Sequence, residues 1–221
     1  MKTSRHLKIA VLLLSVYWAF MFHIAFFDPL EISTTIFSEN STIEAVSPYL
    51  WFMLAVFCLF SNKLSVPTRL ASAVTAVLLG FREMDWHKSF FQEETFRTHF
   101  LRSNFYRSDM VPLSHKIIGG LLVLLIIIVA VYLLKTFVRS VRREGKPFQT
   151  AYIYTASGIF LLAVAKFADR LNGQMIEFFQ KTLPPKINIA VQAFEESTEM
   201  IVPVLLCIAL ILYSNRQHDG T

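Results

Sequence analysis

Of the chain's 221 residues, 54% are hydrophobic and Phe alone supplies 21. Mean hydropathy is +0.50, and only 17% of residues are charged. A water-soluble domain of this length rarely carries so much apolar material with so little charge to cover it, so the balance argues for a membrane-embedded chain. The net charge of +5 comes with no basic patch interleaved with aromatics on a soluble domain, and nucleic acid is not an expected partner.

Long uncharged runs occupy residues 9–27, 45–62, 117–134 and 148–165. A helix rising 1.5 Å per residue needs about 20 residues to cross a hydrocarbon core of about 30 Å. Only a helix satisfies its own backbone polar groups one segment at a time. Two further runs, 70–81 and 200–214, are too short alone and must draw charged neighbours into the helix. The expected fold is therefore all-α, a polytopic bundle of six transmembrane helices at about 9–27, 45–62, 66–87, 115–136, 148–168 and 195–214. These form a single integral membrane domain over residues 1–221. The first run follows a basic N-terminus but ends without a small-x-small cleavage site, and it is read as a retained anchor. Cys58 and Cys207 each fall within an apolar span and are assigned to lipid or helix contacts.

The loops carry a bias in basic residues. With the N-terminus inside, the inner segments hold 11 of the 21 Lys and Arg but only two acids, Glu144 and Asp219. Residues 28–44 hold four acids and no Lys or Arg. By the positive-inside rule both termini are cytoplasmic, in a plasma membrane of the bacterial inner-membrane type, with membrane lipids as the surroundings. Two longer outer connections are expected. Residues 88–114 interleave Phe90, Phe91, Phe96, Phe100 and Phe105 with charges, the pattern of an amphipathic Phe-rich segment that packs at the interface or admits a lipid substrate. In the second, Asn172-Gly173 suggests a turn, Met175–Phe179 a short interfacial piece, and Pro184-Pro185 a break. Gly119-Gly120 should permit close approach near His115. Tyr49, Trp51, Trp86 and Tyr106 read as interfacial anchors.

Ionisable residues inside membrane helices are costly and face a bundle interior or a cavity. The expected third helix ends with Arg82, Glu83, Asp85 and His87. The fourth begins with His115-Lys116, the fifth ends with Lys166, Asp169 and Arg170, and the sixth begins with Glu195, Glu196 and Glu199. At 100° per residue, Glu83 and His87 share a face, as do Glu195 and Glu199, while Arg82 and Asp85 could pair. Glu83, His87, His115, Asp169, Glu195 and Glu199 form a candidate shell for a divalent metal, Zn, Mn or Fe, because bundles hold such ions with carboxylates and imidazoles. A metal there would activate water, with Asp85 or Glu196 as general base and Arg82 or Lys166 holding a phosphate. This predicts a metal-dependent hydrolase or transferase acting on a lipid or lipid-linked substrate. Two alternatives stand beside it: a non-catalytic assembly or sensor subunit whose charges form a structural ion-pair network, and a proton or cation transporter. Alkaline ceramidases and adiponectin receptors resemble the first reading in kind. They use a Ser, an Asp and three His, including a His-x-x-x-His helix, in a seven-helix bundle. That motif does not occur in this sequence, glutamates dominate instead, and no family is assigned on these residues.

Overall fold

A computed structural model describes residues 2–37, 41–86, 100–144 and 149–216. Among the described residues the chain is helical throughout, with no strand. The elements are α1 (Lys2–Phe27), α2 (Leu30–Phe37), α3 (Thr42–Phe60), α4 (Val66–Glu83), α5 (Ser103–Arg107), α6 (Leu113–Glu144), α7 (Gln149–Phe179) and α8 (Pro185–Arg216). Five of these contain stretches long and apolar enough to cross a membrane: Leu7–Phe27, Ile43–Phe60, Leu113–Arg143, Gln149–Leu171 and Pro185–Ser214. The chain divides into two compact units, residues 1–50 with 146–221, and residues 51–145.

In the first unit α8 is the central element, and α7, α1 and α2 all pack against it. Small residues make this possible. Ala190 and Ala193 of α8 meet Met21 and Ala25 of α1 and Phe37 of α2 in one buried cluster. Phe194 lies 6.0 Å from the Trp18 ring and stacks on Phe22 at 6.3 Å. Toward the other end, Tyr154 of α7 joins Leu205 and Ala209 of α8, with Leu7, Ala10 and Leu14 of α1 alongside. Polar contacts lock the turn between α1 and α2. The buried Ser33 hydroxyl donates to the Ile24 carbonyl at 2.9 Å and the Pro29 carbonyl at 3.2 Å. Lys186, at the start of α8, donates to the Asp28 carbonyl at 2.5 Å. Ser41 then caps α3, its hydroxyl accepting the Glu44 N–H at 3.2 Å as a Ser-x-x-Glu sequence favours.

The hairpin of α7 and α8 departs from the sequence expectation. Asn172-Gly173 makes no turn; α7 continues through it to Phe179. Glycine lacks helix propensity by only about 1 kcal/mol relative to Ala, which packing along a long helix readily offsets. The reversal comes instead at Gln180, which takes a left-handed φ of 52°, followed by Pro184-Pro185, the expected break. Helix α8 begins at Pro185, where a missing N–H costs nothing.

In the second unit, α4 packs against α6. Helix α4 presents two faces of different kind. Ala73, Ala76 and Gly80 are buried, and at Gly80 an added Cβ would stand 2.7 Å from the Phe52 ring of α3. Val66, Leu70, Val74 and Leu78, spaced by four, form an exposed apolar stripe. Helix α4 ends at Glu83, and Asp85 takes a left-handed φ of 54°. The third helix therefore does not run on to residue 87 as expected, and Asp85 stands off the α4 face. The short α5 is a packing element: Phe100, Phe105 and Val111 are buried together against Leu122 and Val123 of α6. Gly119 receives them, since a Cβ there would fall 2.9 Å from the Phe100 side chain. The rest of the Phe-rich segment, with Phe90, Phe91 and Phe96, lies outside the described residues. Trp51, expected at the interface, is 1% exposed, whereas Tyr49 and Trp86 are exposed. Cys58 and Cys207 are buried thiols, one in each unit.

Candidate functional site

The polar cluster of the first unit is built by the packing of α7 on α8. On α8, Glu195, Glu199, Val202 and Leu206 recur at intervals of three and four and so share one face. That face meets α7: Leu206 and Val202 lie beside Gly158, at 3.3 Å and 3.8 Å from where its Cβ would stand. Two turns further along α7, Lys166 reaches the two glutamates. Its Nζ is 2.5 Å from Glu199 and 3.3 Å from Glu195, and 3.7 Å from Asp169 on its own helix. The Glu199 side chain is 5% exposed and that of Glu195 14%, against 36% for Lys166. One ammonium thus faces three carboxylates, Glu199 buried, Glu195 half-buried and Asp169 exposed. Glu196 is half-buried on α8 next to this face.

This cluster sits inside both helices rather than at their ends. Lys166 lies about 26 Å along α7 at 1.5 Å per residue, and α7 continues well beyond it. The expectation that the sixth helix starts near Glu195 is corrected by α8, which starts at Pro185. The three glutamates do lie within one apolar helical stretch, Pro185–Ser214, long enough to cross a membrane. Pro203 lies four residues past Glu199 and has no N–H to give to the Glu199 carbonyl, which interrupts the helix ladder beside the cluster. On the opposite side of α8 the Tyr17 hydroxyl of α1 donates to the Ser197 carbonyl at 3.2 Å. Neither Tyr17 nor Lys186 was singled out from the sequence, although a phenol in the middle of an apolar run was a legible signal.

The second unit holds the other candidates. Arg82 pairs with its neighbour Glu83, donating through both Nε and Nη2 to one carboxylate oxygen, the Nε bond at 3.1 Å. The Glu83 side chain is 5% exposed. Asp85 follows in its left-handed turn. His115 lies in the first turn of α6 and is half-buried. Nearby, the Tyr106 hydroxyl donates to the Phe100 carbonyl at 2.7 Å, and burial raises its pKa above the usual phenol value. His87 lies outside the described residues. The five described residues of the proposed metal shell therefore divide as Asp169, Glu195 and Glu199 in the first unit and Glu83 and His115 in the second. Among the described residues no group of three or more His, Cys, Asp or Glu side chains is placed to hold a metal ion.

Among the described residues the fold is all-helical, with five helices compatible with membrane insertion. No protein-family model, curated protein or solved structure matches it.

Proposed function

We propose that this is a six-span membrane protein of the plasma membrane with both termini cytoplasmic, and that it serves as a non-catalytic assembly or sensor subunit braced by ion pairs. One observation carries the functional part: three of the acids assigned from sequence to a metal already face Lys166, at 2.5 Å for Glu199, 3.3 Å for Glu195 and 3.7 Å for Asp169. A cation site at these glutamates would have to displace that ammonium. A charge pair taken out of water needs both partners, so the cluster braces α7 against α8 in the register their packing sets.

The sixth span is α4. Its 18 residues cover about 27 Å, its exposed face is the apolar stripe of Val66, Leu70, Val74 and Leu78, and Arg69 near its start is placed to snorkel. The alternative, a metal-dependent hydrolase or transferase acting on a lipid, draws on Zn, Mn or Fe held by the ligands named above.

Metal analysis of the purified chain decides between the two. The expected result is no stoichiometric Zn, Mn or Fe and an unchanged melting temperature in chelator. About one bound equivalent, with melting lowered by chelation, would install the enzyme reading. The span count has its own test. In a background with Cys58 and Cys207 replaced by Ser, single cysteines Thr34→Cys and Ser140→Cys are labelled with a membrane-impermeant maleimide. Three crossings between them, counting α4, put the two on opposite sides. Labelling from the same side removes α4 from the membrane.

A further inference from the structure

The last turns of α6 carry a charge pattern that the ion-pair cluster does not use. Lys135, Arg139, Arg142 and Arg143 recur at intervals of four, seven and eight, which places them within an arc of about 100° on one side of the helix. All four are exposed. Phe137 and Val141 occupy the opposite side. Among the described residues none of the four cations stands in a salt bridge, in contrast to Arg82 and Lys166.

This stripe does not stand alone on α6. Tyr132 lies one turn before it on the same arc, and its hydroxyl is 3.0 Å from the Thr68 hydroxyl, which is in turn 2.8 Å from that of Ser65. The charge of Arg139 acts on the same Tyr132 hydroxyl, and Thr136 lies within its reach. The first turn of α4 is thereby tied to the basic side of α6, and it brings Arg69, which donates to the Leu59 carbonyl at 3.4 Å. Cations and hydroxyls thus gather on one side, at the end of the most hydropathic candidate span in the chain.

Distance selects the partner. Lys135 to Arg143 covers about 12 Å of helix. A polar headgroup layer is about 5–8 Å thick on each side of the hydrocarbon, and the field of an anionic leaflet extends about another 8–10 Å into the water. The whole stripe falls within that reach when the apolar part of α6 spans the core. Headgroup phosphodiesters accept charge-assisted hydrogen bonds from Lys and Arg, and hydroxyls add neutral ones. We propose that the basic end of α6, with the first turn of α4 hydrogen-bonded to it, is a docking surface for anionic phospholipid headgroups of the leaflet that surrounds it. The inference rests on the membrane reading above. It goes beyond it by naming a lipid class and the residues that select it.

The test uses the full chain in detergent micelles doped with phosphatidylglycerol or phosphatidylcholine, with retained lipids counted by native mass spectrometry. The wild-type chain is expected to retain phosphatidylglycerol in preference to phosphatidylcholine, with the preference shrinking as salt is raised. Replacing Lys135, Arg139, Arg142 and Arg143 by Gln should cut it by about tenfold or more, since juxtamembrane cations each contribute severalfold to anionic-membrane affinity. A control with Arg102, Arg107, Lys181 and Lys186 replaced by Gln should keep the preference. Equal retention of the two lipids by the wild-type chain overturns the proposal, as does a preference that survives the four-Gln variant or is lost equally in the control. Unchanged helical content and elution volume show that the variants fold. A chain recovered from cells without detergent would instead sink the membrane reading itself, so the two failures are distinguishable.

Discussion

Replacing Lys166 by Met removes one ammonium and leaves Glu199 and Glu195 facing each other with side chains 5% and 14% exposed. Removing one partner of a buried pair costs about 3–5 kcal/mol, because the surviving charge is left uncompensated. Lys166 is itself 36% exposed, so solvent or headgroups reach its ammonium and the expected loss lies near the lower end, about 3 kcal/mol. For a chain of this size that is a fall of about 6–12 °C in melting temperature, read by thermal unfolding in detergent. The informative comparison is the triple variant Lys166→Met, Glu195→Met, Glu199→Met. Replacing a buried ion cluster by apolar side chains of similar volume is often neutral or stabilising, so the triple variant should melt within a few degrees of wild type. Near-complete recovery means that the single variant suffered from unpaired charge. If Lys166→Met melts like wild type, the cluster does not brace the hairpin. If the triple variant melts as low as the single one, the loss came from packing and the electrostatic account is refuted.

Other perturbations address the two units separately. Phe105→Ala empties a fully buried site against α6 and should destabilise the second unit by about 3–5 kcal/mol, read as faster hydrogen exchange in residues 100–125 with the α7–α8 hairpin unaffected. Gly119→Leu pushes a side chain into the space held by Phe100, Phe105 and Tyr106 and should cost about 1–3 kcal/mol, with melting as the readout. Ser33→Ala removes a buried donor shared between two carbonyls and should cost about 1 kcal/mol. Its effect should appear as earlier protease cleavage between α1 and α3.

Much of the helical architecture was legible from the sequence because its cause is local. A run of about 20 uncharged residues has one physical solution in a bilayer, and Ile9–Phe27 or Ile117–Leu134 could be read without knowing what lies beside them. The same reasoning extended the last helix past its apolar run, since 15 residues from Met200 to Ser214 are too few to cross, and α8 does contain Glu195 and Glu199. The shared face of those two glutamates also followed from helical periodicity alone. Where the reading failed, a local signal met a competing force. Asn172-Gly173 carries turn propensity worth about 1 kcal/mol, and the continuous α7 overrode it. Asp85, two residues past Glu83, is expected on a helix that ends before it, because nothing in the sequence marks the left-handed residue that follows α4.

The partner of each charge was beyond local reading. Periodicity says which side chains share a face, but only the approach of two helices says what that face meets. Gly158 admits Leu206, and that contact sets the register that brings Lys166 onto Glu199 and Glu195. A shift of α7 by one turn, about 5.4 Å, would leave the same residues on the same faces with different partners. The sequence thus determined that this chain is helical, apolar enough for a membrane and charged within its candidate spans. Tertiary packing decided that one lysine holds the buried Glu199 and the half-buried Glu195, because helix register is a property of the contact between helices and not of either one.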